Sequence, residues 1–136
     1  MDVLGRFAGA TFGLVGIEAY ARDCADVETH RDWSACHPIN PQRTIRNSSA
    51  VYLEGVAKAH LLPAEAAGAI ATAAEHYRAC FAAWQEYYAL LGHGAPKGAG
   101  RMKDRRQAGA AAARRWLRHE RAAIEELWSA LRLLEE

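Results

Sequence analysis

The chain has 136 residues, a length suited to one compact domain. Apolar residues make up 51% of it, enough for a core, while 17 Lys+Arg against 16 Asp+Glu leave a formal charge of +1. That balance argues against a polyanion binder, and so against nucleic acid as a partner, and equally against an acidic solvating chain.

The first helix is expected from about Asp2 to Ala25. Phe7, Ala10, Leu14, Ile17, Ala21 and Cys24 form its apolar stripe. Gly5, Gly9 and Gly13 recur every fourth residue and weaken it by roughly 1 kcal/mol each, which implies close packing on that face or a break near Gly13–Gly16. The apolar run from Phe7 to Ile17, bounded by Arg6 and Glu18, is too short to cross a bilayer and lacks the flanks of a secretory signal. Together with three cysteines and no CxxC, this points to a cytosolic protein with reduced thiols.

Residues 26 to 39 read as an irregular loop. Asn40-Pro41 then looks like an N-cap followed by proline at the first helical position, opening a second helix that runs to Leu62. Its inner side is expected to carry Ile45, Ser49, Tyr52, Val56 and His60, with Leu53 and Ala57 adjacent. Leu62 precedes Pro63 and so ends this helix; Pro63 can itself open the third.

The third helix, to Leu91, carries the strongest periodicity in the chain. Ala66, Ile70, Ala73, Tyr77, Cys80, Trp84, Tyr87 and Leu91 recur alternately four and three residues apart, placing all eight on one stripe that needs other helices to pack on. Gly92 to Gly100 is a glycine-rich linker within the single domain. The fourth helix runs from about Arg101 to Leu134, with Ala113, Leu117, Glu120, Ile124, Leu127, Leu131 and Leu134 repeating at the same rhythm. No internal repeat, nucleotide-binding glycine loop or sustained period-two alternation is present. The expected architecture is all-α: an antiparallel four-helix bundle, up-down-up-down, over residues 1–136.

Counting levels from shared helix ends places Glu120 beside His76 and Tyr77 on the third helix and near His60 on the second. A carboxylate on an apolar stripe needs a donor. The arrangement reads either as a satisfied structural hydrogen bond, with Glu120 at the edge of its stripe, or as the polar floor of a small-molecule pocket. Glu18, level with Ser48, Ser49 and Trp84, is a second case of the same kind.

Cys24, His30, Cys36 and His37 supply the ligand types of a structural zinc site, with His93 expected at the same end. Their spacing matches no finger or ribbon, so zinc enters as an alternative, with no other cofactor implied. A di-iron carboxylate site is excluded because no glutamate has a histidine three residues later, and His119-Glu120 is not followed by the second histidine of HExxH. Nine lysines or arginines lie between Lys97 and Arg121, against Asp104 and Glu120, in an order the helix dipole disfavours. Pairing with Asp23, Asp26, Glu28 and Asp32 is the simplest account; a nucleic-acid groove centred on Arg114, Arg115 and Arg118 is the sharper one. Cys80 has His76 one turn away, but an apolar setting raises a thiol pKa and does not activate it.

Three segments, FGLVGIEAYARDC, AAEHYRACFAAW and RHERAAIEELWSAL, resemble the helical region that accompanies bacterial proteins with a domain like bacteriocin-processing cysteine peptidases, the butirosin-acyltransferase type. The peptidase-like domain itself has no counterpart here, so the resemblance carries over no catalytic residue. It implies a helical ligand- or partner-binding module and singles out Glu18 and Glu120.

The expected function is therefore non-enzymatic. A cytosolic bundle would bind a small ligand or a partner protein, with Glu18, Tyr52, His60, His76, Tyr77, Trp84 and Glu120 at the pocket. The alternatives are a zinc protein or enzyme using the loop from Cys24 to His37, and a self-associating structural protein, a homodimer joined through the glycine-lined face of the first helix.

Overall fold

The computed structural model describes residues 6–7, 10–11, 13–25, 41–91 and 102–136. Its architecture is all-helical, with four helices among the described residues: α1 (Gly13–Ala25), α2 (Pro41–Lys58), α3 (Ala64–Leu91) and α4 (Met102–Glu135). None is long and apolar enough to cross a membrane.

The start of the first helix differs from expectation. Arg6–Phe7 (β1) pairs antiparallel with Ala10–Thr11 (β2), Arg6 opposite Thr11 and Phe7 opposite Ala10, and α1 begins only at Gly13. Phe7 and Ala10 are thus not on a helical stripe, and Gly5 and Gly9 of the expected glycine-lined face lie outside the described residues. Glycines recur at 5, 9, 13 and 16, each weakening a helix, and the last two fall in the first turn of α1, where the cost of a glycine is least.

The second helix also ends early, at Lys58. The Ala59 N–H closes back on the Val56 carbonyl at 3.3 Å, and His60 sits in the left-handed region with φ 55°. A residue there turns the chain out of the helix, a position glycine usually takes. The Pro63 carbonyl accepts the Ala67 N–H at 2.9 Å and so opens α3, within one residue of the expected boundary.

Packing is organised around α3 and α4, with α2 laid on α3 and α1 on α4. Alanine makes this possible. Ala66, Ala73, Ala74, Ala112, Ala113 and Ala123 are all at 0% exposure, so the helix backbones approach closely over a seam without long side chains. Bulk comes from a few large residues. Ile17, Cys80, Ala83, Trp84, Trp116 and Leu117 form one buried cluster, joined by Leu14, Tyr77, Phe81 and Tyr88; Ala21 and Tyr87 form a second with Ala110, Ala112 and Ala113. Trp84 is stacked between Phe81 and Tyr88 of its own helix, at 6.5 and 5.1 Å between ring centroids, as neighbours three and four residues apart allow. The third-helix ladder is buried from Ala66 to Tyr87 except at Tyr77, which is half-buried.

Contacts fix the register of α3 and α4. Arg105 donates from Nε and Nη2 to the Leu90 carbonyl at 3.0 and 2.5 Å, which satisfies an end-of-helix acceptor with a cation. Arg115 pairs with Glu86, Cys80 meets the Trp116 carbonyl and His76 meets His119. Residue numbers on one helix fall as those on the other rise. On α2, Glu54 takes a two-point ion pair from Arg78 at 2.9 and 2.7 Å.

The inner face of α2 is displaced by one residue from the expected stripe. Ala50 is buried, with Arg46, Leu53 and Ala57 half-buried beside it; of the expected stripe Ser49 and Val56 are half-buried too, whereas Ile45 is 47% and Tyr52 71% exposed and His60 lies in solvent. On α4 the stripe is buried through Ala113, Leu117 and Glu120, half-buried at Ile124 and Leu127, and exposed at Leu131 and Leu134.

His60 makes a clean test of the turn because its side chain is exposed. His60→Gly relieves the left-handed backbone and should raise stability by about 0.5–1 kcal/mol, while His60→Val should lower it by about 1 kcal/mol. Urea midpoints of the two variants check the sign.

Candidate functional site

Glu120 is the only buried carboxylate among the described residues, at 6% exposure, on the packed face of α4 with Ala113, Trp116, Leu117 and Ala123. Such a group is held only where donors surround it. Trp116, one turn earlier, donates its indole N–H to Oε2 at 3.3 Å. From α2, Arg46 donates Nε to Oε2 at 2.8 Å and places Nη2 2.5 Å from Oε1, a two-point fork on the carboxylate. The side chains are 19% and 7% exposed, so the pair is largely withdrawn from water. The Arg46 guanidinium also lies 5.8 Å from the centre of the Tyr77 ring on α3, within cation–π range. One carboxylate thereby ties three helices together.

The charge of Glu120 reaches its neighbours. Burial, and then the Glu120 carboxylate, push the Tyr77 hydroxyl above its ordinary range, with Arg46 opposing. Cys80 is more strongly affected: burial first and Glu120 second raise its thiol far above the usual cysteine value. Its Sγ faces the Trp116 carbonyl at 3.7 Å. It is a protonated small hydrophobe and not a nucleophile.

His76 does not pair with Cys80. Its Nδ1 lies 3.1 Å from Nδ1 of His119, the two rings tilted at 37°. One ring donates and the other accepts, so a second proton would set two N–H groups face to face. Burial, then His76, then Arg118 lower the pKa of His119, favouring its neutral form.

Of the residues expected at a pocket, Glu120, His76 and Tyr77 meet at one level, and Trp84 belongs to the adjoining aromatic cluster, its indole N–H without a hydrogen-bond partner among the described residues. Glu18 and His60 lie away from this layer, and Tyr52 lies on the outer face of α2. Glu18 points outward and loosely pairs with Arg121 at 3.7 Å, both side chains more than half exposed. Tyr52 is 71% exposed because α2 turns its other face inward. His60 lies beyond the end of α2, and the level of Glu120 on that helix is taken by Arg46. Cys24 lies on α1, but its side chain, with His30, Cys36, His37 and His93, falls outside the described residues, as do Asp23, Asp26, Glu28 and Asp32 of the expected acidic partner. Among the described residues no group of three His, Cys, Asp or Glu could hold a metal. Within the basic run, Arg105 is taken up by the Leu90 carbonyl, Arg106 is 1% exposed and Arg115 pairs with Glu86, leaving Arg114 and Arg118 at the surface.

Sequence reasoning missed Arg46, Trp116 and His119. Arg46, Ala50, Leu53 and Ala57 repeat at the same four-three rhythm as the stripe one residue earlier, but an arginine at its head makes that face look less like a core. Trp116 lies one turn from Ala113 and Glu120 of the α4 stripe, and His119 immediately precedes Glu120.

The interior layer is fully engaged, so the open surface lies elsewhere. Val51, Tyr52, Gly55, Val56, Ala59, Leu61 and Leu62 line an apolar groove of about 420 Å³ along the outside of α2. Ile124, Leu127, Trp128 and Leu131 line a second, of about 220 Å³, on α4. A third, of about 390 Å³ between α2 and α3, is edged by Glu54, Lys58 and Glu75.

The clamp should be strongly coupled. Arg46→Met leaves a buried carboxylate without its cation and should cost about 3 kcal/mol, whereas Arg46→Met with Glu120→Leu should recover most of the loss, as apolar replacement of a buried pair usually does. A double-mutant cycle by denaturant unfolding measures this. Because the folded-state pKa of His119 lies below its unfolded value, its contribution is fully present above the ordinary imidazole pKa and fades as pH falls through that range toward the folded value. Unfolding free energy should therefore drop between pH ~7.5 and ~5.5 by more in the parent chain than in His119→Gln.

No protein-family model, curated protein or solved structure matches the chain. The likeness to the helical region of peptidase-like bacterial proteins rests on its three segments alone, and no residue role is taken from it.

Proposed function

We propose that this chain is a non-enzymatic cytosolic module that binds an amphipathic helix of a partner protein on the outer face of α2. Its four helices are wound up-down-up-down, a reading supported by the opposed numbering of the pairs joining α3 to α4. The observation that carries the function is the orientation of α2: Arg46 reaches inward to Glu120, while Val51 is 56% and Tyr52 71% exposed, with Leu61 just past the helix end 84% exposed.

A helix that could have buried its apolar side and did not presents a surface on which water is easily displaced. The groove there is lined entirely by apolar residues and by Tyr52, without a charge to orient a polar ligand. Shape and apolar contact are what it offers. An amphipathic helix meets such a groove with anchors at positions i, i+3, i+4 and i+7, and an 18-residue helix, about 27 Å long, accommodates several of them. Tyr52 supplies a rigid amphipathic edge of the kind that concentrates binding energy. Binding at Glu120 is the weaker reading, since both of its oxygens already have partners.

Selection from a displayed library of amphipathic helices tests this. The best binders should bear apolar residues at helical spacing and lose tenfold or more, about 1.4 kcal/mol, against a folded Val51→Glu/Tyr52→Glu chain. Binders indifferent to that double change would overturn the assignment.

A further inference from the structure

From the pattern on α4 we infer that a second copy of this chain docks there, antiparallel, with its two-fold axis at Trp128. Glu18 of α1 reaches Arg121 of α4. Toward that end α1 continues for only five residues, to Gly13, about 7.5 Å, whereas α4 continues for fourteen, to Glu135, about 21 Å. The last ~13 Å of α4 therefore extends past the first residue of α1. Its apolar stripe does not stop at that point: Ile124, Leu127, Leu131 and Leu134 keep the four-three rhythm of a coiled-coil seam. Trp128 is 58%, Leu131 43% and Leu134 45% exposed there, and an open groove runs along Ile124, Leu127, Trp128 and Leu131.

The flank of this seam says what covers it. Arg121, Glu125, Trp128, Arg132 and Glu135 follow one another at spacings of four, three, four and three, so they share one strip, and all five are exposed. Read in either direction from Trp128, the charges are opposite in sign: Glu125 and Arg121 on one side, Arg132 and Glu135 on the other. An antiparallel copy centred on Trp128 sets Arg121 against Glu135 of the second copy, Glu125 against Arg132 of the second copy, and tryptophan against tryptophan. Every contact occurs twice, as a two-fold interface requires. A parallel copy would set each charge against itself, and a neutral amphipathic helix would offer these charges no partner across the seam. The Glu18–Arg121 pair does not stand in the way, since at 3.7 Å between two exposed side chains it holds Arg121 only weakly. The surface is a single helix face, so the dimer belongs to the small, reversible class.

Charge exchange tests the pairing without touching the core. Sedimentation of the parent chain should show a concentration-dependent dimer. Glu125→Arg alone, or Arg132→Glu alone, creates two like-charge contacts per dimer and should weaken it roughly tenfold or more. The double variant should restore it, and the two single variants mixed together should form a heterodimer that neither forms with itself. Helical circular dichroism confirms that each variant is folded. A parent chain that stays monomeric at its highest attainable concentration, or a dimer indifferent to these exchanges, would overturn the inference. So would a chain that dimerises only after deletion of residues 1–12, because the groove would then be filled from within.

Discussion

The burial of Glu120 is the constraint from which much else follows. A carboxylate on the packed face of α4 is tolerated only with a cation and further donors around it. Trp116 provides one donor from the same helix, but the cation comes from α2. Delivering Arg46 to the interior rotates α2 by about one residue, or ~100°, away from the orientation that would bury its most apolar side. The apolar groove outside α2 is the other half of that rotation. An interior polar contact and an exterior binding surface are thus a single orientational choice seen from two sides.

A second theme is how this chain fills a core with so few large residues. Seven alanines at 0% exposure, six on α3 and α4 and Ala50 on α2, allow the helices to close up, and the remaining volume is taken by a compact aromatic group around Trp84 and Trp116. The polar layer sits beside that group; burial, and after it the Glu120 charge, keeps Cys80 protonated and raises the Tyr77 hydroxyl. What resembles a set of reactive groups in the sequence is, in three dimensions, a set of mutually satisfied ones.

The fold class was legible because the third-helix ladder is long and has one dominant period; nearly every member of it is buried. The level of Glu120 with His76 and Tyr77 was legible for the same reason, since rise per residue is constant along uninterrupted helices. Two things were not. Periodicity alone could not separate the Ile45–Tyr52–Val56 stripe from the Arg46–Ala50–Leu53 stripe, and hydrophobicity favoured the one that faces outward. Nor could it place the start of α1, where apolar spacing continues through a stretch whose glycines oppose a helix. In both cases a tertiary demand or a backbone cost, neither visible in a hydrophobic pattern, decided the outcome.

The alanine seam of α3 and α4 has a consequence for how this sequence can change over time. A methyl group is the smallest side chain that still keeps a helix rigid. Enlarging any of these residues pushes the rods apart, and shrinking one to glycine loosens the backbone. Substitution is therefore blocked in both directions at the seam. Relatives of this chain should be recognisable less by shared large residues than by the places where nothing but alanine is allowed.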